Sequence, residues 1–141
     1  MANEIDKIIN AIVKLNNLTQ DGKIKWRTIQ PRPSLNRDKD SIVDLVYTAK
    51  YNNKRLGLYE NKFKVENAPY ASLSGSLDSI FGSVKYPHWQ TRVVLEFIDE
   101  DGNNLWTFPE VQGLNDLLST VKYQIAGVDE FLDSFLDEKT K

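Results

Sequence analysis

The apolar residues of this chain change period twice, and that switch constrains the fold more than any motif does. They recur at helical spacing at both ends and alternate in between. At the start, Ile5, Ile8, Ile9, Ile12, Leu15 and Leu18 share one side of a helix predicted over residues 3–18, while Lys7, Asn10, Lys14 and Asn17 face out. At the far end, Val111, Leu114, Leu117, Leu118, Val121 and Ile125 form one apolar stripe. Gly127 breaks it, and Val128, Phe131, Leu132, Phe135 and Leu136 form another, set among Asp129, Glu130, Asp133, Asp137 and Glu138. That last stripe is expected to pack on the domain's own sheet. The alternative is docking to a second subunit, which would make the chain a homodimer. Residues 137–141 are expected to fray.

Between the helices the pattern belongs to strands. After the turn signal Asp21-Gly22, residues 23–29 alternate, with Ile24 and Trp26 on one face and Lys23, Lys25 and Arg27 on the other. Pro31 and Pro33 then block regular structure, so residues 30–40, with Arg32, Arg37 and Lys39, read as an exposed basic loop. Residues 41–51 and 54–64 form a hairpin about Asn52-Asn53, with Val43, Leu45, Tyr47 and Ala49 facing the same way as Leu56 and Leu58. Residues 66–92 are the least regular. They hold Pro69 and Pro87, and Leu73, Leu77, Ile80 and Phe81 suggest a short helix there. A second hairpin joins residues 91–98 to 104–108 through Asp101-Gly102 and stops at Pro109. The order predicts an α+β fold with one antiparallel sheet of about five strands, on which an N-terminal helix and two C-terminal helices pack. With no internal repeat or linker, residues 1–141 read as one domain.

Composition narrows the chemistry. Six Phe, six Tyr and three Trp in 141 residues supply enough apolar area for an ordinary core. A formal net charge of -2 argues against a protein that coats duplex nucleic acid. The chain has no cysteine and one histidine, His88, which excludes thiol catalysis, cysteine-ligated zinc and any site needing two imidazoles. No apolar run nears the ~18 residues of a membrane span, and no signal-peptide pattern opens the chain. A cytoplasmic protein without a membrane partner is therefore expected.

Asp44 followed by Glu60-Asn61-Lys62 resembles the acidic and lysine core of the PD-(D/E)xK nucleases. The resemblance implies two carboxylates on a divalent ion and a lysine that polarises water and phosphate. Val43 stands where that family has proline. A two-residue turn at Asn52-Asn53 also sets Asp44 across from Asn61 and turns Glu60 and Lys62 to the other face, unless a bulge intervenes. Asp99, Asp101, Asn103 and Glu110 copy ligand positions of an EF-hand loop, but the glycine is at Gly102 rather than at Asn104, so an acidic hairpin tip is the expectation. Ser72, Ser74, Ser76, Ser79 and Ser83 form neither a nucleophile elbow nor a phosphate loop.

A diffuse constellation is left. Trp26, Arg27, Arg32 and Arg37 lie on one connection, and Tyr70, Tyr86, His88, Trp89 and Arg92 on another. Arginine forks grip phosphates and aromatic faces stack on bases, and both groups also concentrate in protein contacts. The first expectation is a non-enzymatic binding protein that sequesters a small anionic, nucleotide-like ligand with Trp26, Arg27, Arg32, Arg37, Tyr86, His88, Trp89 and Arg92. It assumes that the two connections meet at one rim of the sheet. The alternatives are a protein-interaction module of inhibitor, immunity or adaptor type, and a divergent metal-dependent nuclease built on Asp44, Glu60 and Lys62. No residue is assigned a catalytic or metal-binding role, and no cofactor is expected.

Overall fold

The structure, a computed structural model, describes residues 3–65 and 88–138. Its elements are α1 (Glu4–Gln20), β1 (Arg27–Ile29), a 3-10 turn (Pro33–Asn36), β2 (Ser41–Ile42), β3 (Val46–Tyr51), β4 (Lys54–Val65), β5 (His88–Ile98), β6 (Asn104–Thr107), α2 (Gly113–Ala126) and α3 (Val128–Asp137). All strand pairs are antiparallel, in the order β1-β3-β4-β5-β6, and β2 joins the side of β4. This is the α+β arrangement that the change of period predicts. The short helix expected about Leu73, Leu77, Ile80 and Phe81 falls outside the described residues.

Local chemistry sets the ends of the elements. Asn3 caps α1 by accepting the Asp6 N–H at 2.8 Å, and Glu4 and Asp6 suit the positive end of the helix dipole. Asn52 and Asn53 both take positive φ, 51° and 64°, the mirror-image turn that matches the twist of two paired strands. From this turn β3 pairs with β4 in the expected register, Val46 opposite Tyr59 through Tyr51 opposite Lys54.

Beyond β3 the register changes. Ile42 pairs with Lys62 while Val46 pairs with Tyr59, so Val43, Asp44 and Leu45 face only Glu60 and Asn61. This bulge corrects the expectation that Asp44 sits squarely across from Asn61. The Asn36 side chain holds it open, accepting the Val43 N–H at 2.7 Å and donating to the Val43 carbonyl at 2.8 Å. Val43 is thereby buried with Val46 and Tyr59, against Ile29, Leu35 and Val94.

The main core lies on the opposite face. Leu56 and Leu58 of β4 and Val93 and Leu95 of β5 meet Ile12 of α1, Ile24, Trp26 and four residues of α2, namely Leu114, Leu117, Leu118 and Val121. The two helices run in the same direction, since Gly113 faces Ile12 and Gln124 reaches Thr19. Gln124 ties this end together. Its amide donates to the carbonyls of Thr19 at 3.1 Å and Ile24 at 2.8 Å, and its oxygen accepts the Trp26 N–H at 2.8 Å.

Five strands abreast span about 19 Å, enough for two helices each about 10 Å across. Here α1 and α2 fill that width, and α3 has no sheet to lie on. Gly127 ends α2 in the left-handed conformation at φ 67°, donating to the Gln124 carbonyl, and its own carbonyl starts α3. None of the residues of α3 is buried. The apolar stripe of α3 is thus not packed on the sheet as its pattern suggests, because that place is taken.

Replacing Gln124 with leucine strands the Trp26 N–H and the Ile24 carbonyl. The Gln124→Leu variant is expected to lose about 1–3 kcal/mol of unfolding free energy in urea. An unchanged midpoint and slope would show that the clamp contributes nothing.

Candidate functional site

Two features of the surface could carry function: the second face of the sheet and α3.

On the second face a buried ion pair crosses from the proline-rich loop to the centre of the sheet. Arg32 projects from extended backbone between Pro31 and Pro33. Its Nη1 donates to Glu96 Oε2 at 2.6 Å and to the Gly102 carbonyl at 3.2 Å, and Nη2 donates to Glu96 Oε1 at 3.2 Å. Asn104 Nδ2 adds a third donor to this carboxylate, at 2.8 Å. Glu96 is 1% exposed. Gly57 lies opposite it, where a Cβ would come into contact with the Glu96 side chain at 3.4 Å and press on the Ile98 Cγ2 at 3.3 Å. The hydrogen bond that Arg32 donates to Glu96 raises the pKa of Arg32 above its ordinary value, against a smaller opposing effect of burial.

Tyr59 lies beside this pair. Burial raises the pKa of its hydroxyl, the Glu96 charge adds to the rise, and Arg32 and Arg92 oppose it. Next along β4, Asn61 donates to Ser41 Oγ at 2.8 Å and accepts from Arg92 Nε at 3.2 Å. The Arg92 guanidinium lies 5.2 Å from the centre of the Phe63 ring.

The residues singled out in the sequence are therefore scattered. Arg32 and Arg92 share the second face and both act on Tyr59. Arg32 is not part of a merely exposed loop, because its fork is occupied by Glu96. Arg27 is exposed on the edge strand β1, and Arg37 is exposed just after the 3-10 turn. Trp26 belongs to the core at 6% exposure, its Nε1 donating to Thr19 Oγ1 at 3.0 Å. His88 and Trp89 open β5, while Tyr70 and Tyr86 fall outside the described residues. The bulge brings Asp44 to within 3.4 Å of Lys62 Nζ as an exposed pair. Glu60 shares a sheet face with Leu58, where its charge adds to the effect of burial in raising the Tyr47 pKa. Asp99 accepts the backbone N–H groups of Asp101 and Asn103, both at 2.9 Å, and so caps its own turn. Among the described residues no three of His, Cys, Asp or Glu gather where they could hold a metal ion, and no helix is long and apolar enough to cross a membrane.

Two features were legible only in part. A charged residue inside Val94-Leu95-Glu96-Phe97 signals a buried counter-ion, but its partner lies 64 residues away in sequence. The stripe of α3 was plain, yet its direction was not. Phe131 is 61% exposed, Leu132 40%, Phe135 60% and Leu136 75%. The Phe131 and Phe135 rings stack with centroids 5.5 Å apart. No protein-family model matches this chain, and comparison with curated proteins and with solved structures likewise finds no match.

Removing one partner of the buried pair should be costly. Arg32→Ala is expected to lose about 3–5 kcal/mol, whereas replacing Arg32 and Glu96 together by Met and Leu should cost much less. Equal losses would contradict the pairing. Because the pKa of Tyr59 is raised on folding, its contribution is intact below about pH 10 and disappears as pH rises through the folded-state value. The unfolding free energy of Tyr59→Phe should accordingly fall less steeply on the alkaline side than that of the wild type. Parallel alkaline limbs would refute this.

Proposed function

We propose that this chain is a non-enzymatic protein-interaction domain that docks through α3. The observation that supports this reading is the exposure of Phe131, Leu132, Phe135 and Leu136 on a helix that buries no residue in its own domain. An isolated helix shorter than about 12–15 residues is marginal in water, and α3 has ten. Covering a Phe or Leu side chain contributes roughly 1.5–3 kcal/mol. Four of them offset much of the roughly 4–15 kcal/mol that association costs. The spacing of residues 131, 132, 135 and 136 is that of anchors on one helical face that enters a groove.

The reading that the arginine-bearing connections sequester a small anion draws less support. Arg32 is neutralised by Glu96, Trp26 is inside the core, and Arg27, Arg37 and Arg92 do not converge on one cavity.

A photo-crosslinking amino acid at position 135 tests the proposal in cells that produce the chain. Irradiation is expected to give discrete adducts from position 135 and none from position 14, on the polar side of α1. No adduct from position 135 would refute docking through α3.

A further inference from the structure

Residues 30–40 cross the second face of the sheet between Ile29, which ends β1, and Ser41, which starts β2. Both ends are fixed in ladders, Ile29 opposite Val46 and Ser41 opposite Phe63. Between them the crossing is lightly held. None of its residues is buried, and only Pro31, Arg32 and Leu35 are half-buried. Among the described residues its backbone hydrogen bonds are local, from Leu35 to Arg32 and from Ser41 to Asp38. The exception is at the hinge, where the Asp40 carbonyl accepts the Lys64 N–H at 2.9 Å. Three side chains supply the rest of the hold. Arg32 forks onto Glu96 and also donates to the Gly102 carbonyl. Asn36 clasps both backbone groups of Val43, and Leu35 packs against the cluster of Val43, Val46 and Tyr59.

We infer that residues 30–40 are a flap that opens and closes over the second face while the helix-side core stays folded, and that the Arg32 fork is its latch. The two faces differ in what opening costs. The helix-side core includes Leu58, Leu95, Leu117 and Val121, all at 0% exposure, and no residue of the crossing belongs to it. The flap brings one half-buried leucine to the smaller cluster on its own side. Its other holds are polar, and on opening each is exchanged for bonds to water. Glu96 regains hydration when the flap lifts, whereas under a closed flap without the guanidinium it would stay buried with its charge unpaired. A segment with so few buried apolar contacts belongs to the low-stability part of a fold. Pro31 and Pro33 restrict its backbone, so it moves as a piece. Opening uncovers Val43, Tyr59 and Glu96, a strip that is buried in the closed chain.

The chain has no cysteine of its own, so a single introduced thiol reports on its own exposure. Val43→Cys places the thiol under the flap and Val121→Cys places it in the helix-side core, at sites 2% and 0% exposed. Labelling of the whole folded chain with a thiol reagent is expected to be at least about a hundredfold faster at position 43 than at position 121. Adding Arg32→Ala should speed labelling at position 43 by about tenfold or more. Adding Ile12→Val, which trims only the helix-side core, should speed labelling at position 121 by about threefold or more and leave position 43 unchanged. Equal rates at the two positions overturn the inference, because the flap then opens only when the whole chain unfolds. So does a rate at position 43 that rises with Ile12→Val as the rate at position 121 does. A rate at position 43 indifferent to Arg32→Ala removes the latch and overturns it as well. Where Arg32→Ala gives no folded chain, Arg32→Lys, which keeps the charge and loses the fork, is expected to act in the same direction, and no acceleration there is equally fatal.

Discussion

The width of the sheet decides the rest of the molecule. A twisted sheet five strands across presents one apolar face of about 19 Å, and two helices are enough to cover it. Leu56, Leu58, Val93 and Leu95 supply that face, and α1 and α2 close it with Ile12, Leu114, Leu117, Leu118 and Val121. Gln124 fixes the pair by satisfying three backbone groups where α1 ends and the chain enters β1. A third amphipathic helix can then only project. In α3 it follows Gly127, whose left-handed conformation redirects the chain without a Cβ penalty.

The second face solves a different problem. Among the described residues no α-helix packs on it, and the proline-bearing loop covers it with Leu35 and Val43 and with the Arg32 fork. A carboxylate as buried as that of Glu96 is tolerable only because its oxygens receive Arg32 and Asn104. This explains why Arg32, read in the sequence as part of an exposed basic loop, is occupied in the fold.

Elements that depend on near neighbours were readable from the sequence. The helical period of α1 and α2, the Asn52-Asn53 turn and the acidic tip at Asp99 each follow from contacts within a few residues. Features set by distant partners were not. The bulge at 43–45 depends on Asn36, the burial of Trp26 on Thr19 and Gln124, and the role of Arg32 on Glu96. For the candidate site, the sequence marked Phe131, Leu132, Phe135 and Leu136 as one face but could not reveal that the sheet was already full. It grouped Arg32 with Arg92, which do share a face, and added Trp26, which does not belong with them.

The central claim is that α3 contributes its apolar face to no part of its own domain. Comparing the unfolding free energy of the whole chain with that of a chain ending at Gly127, both dilute and at about 1 M salt so that charged contacts between copies are screened, measures this directly. The account predicts values within about 0.5 kcal/mol of each other, the range of changes that touch no packed feature. A loss of about 2 kcal/mol or more on removing α3 would mean that Phe131, Leu132, Phe135 and Leu136 are packed within the chain after all, and would contradict it.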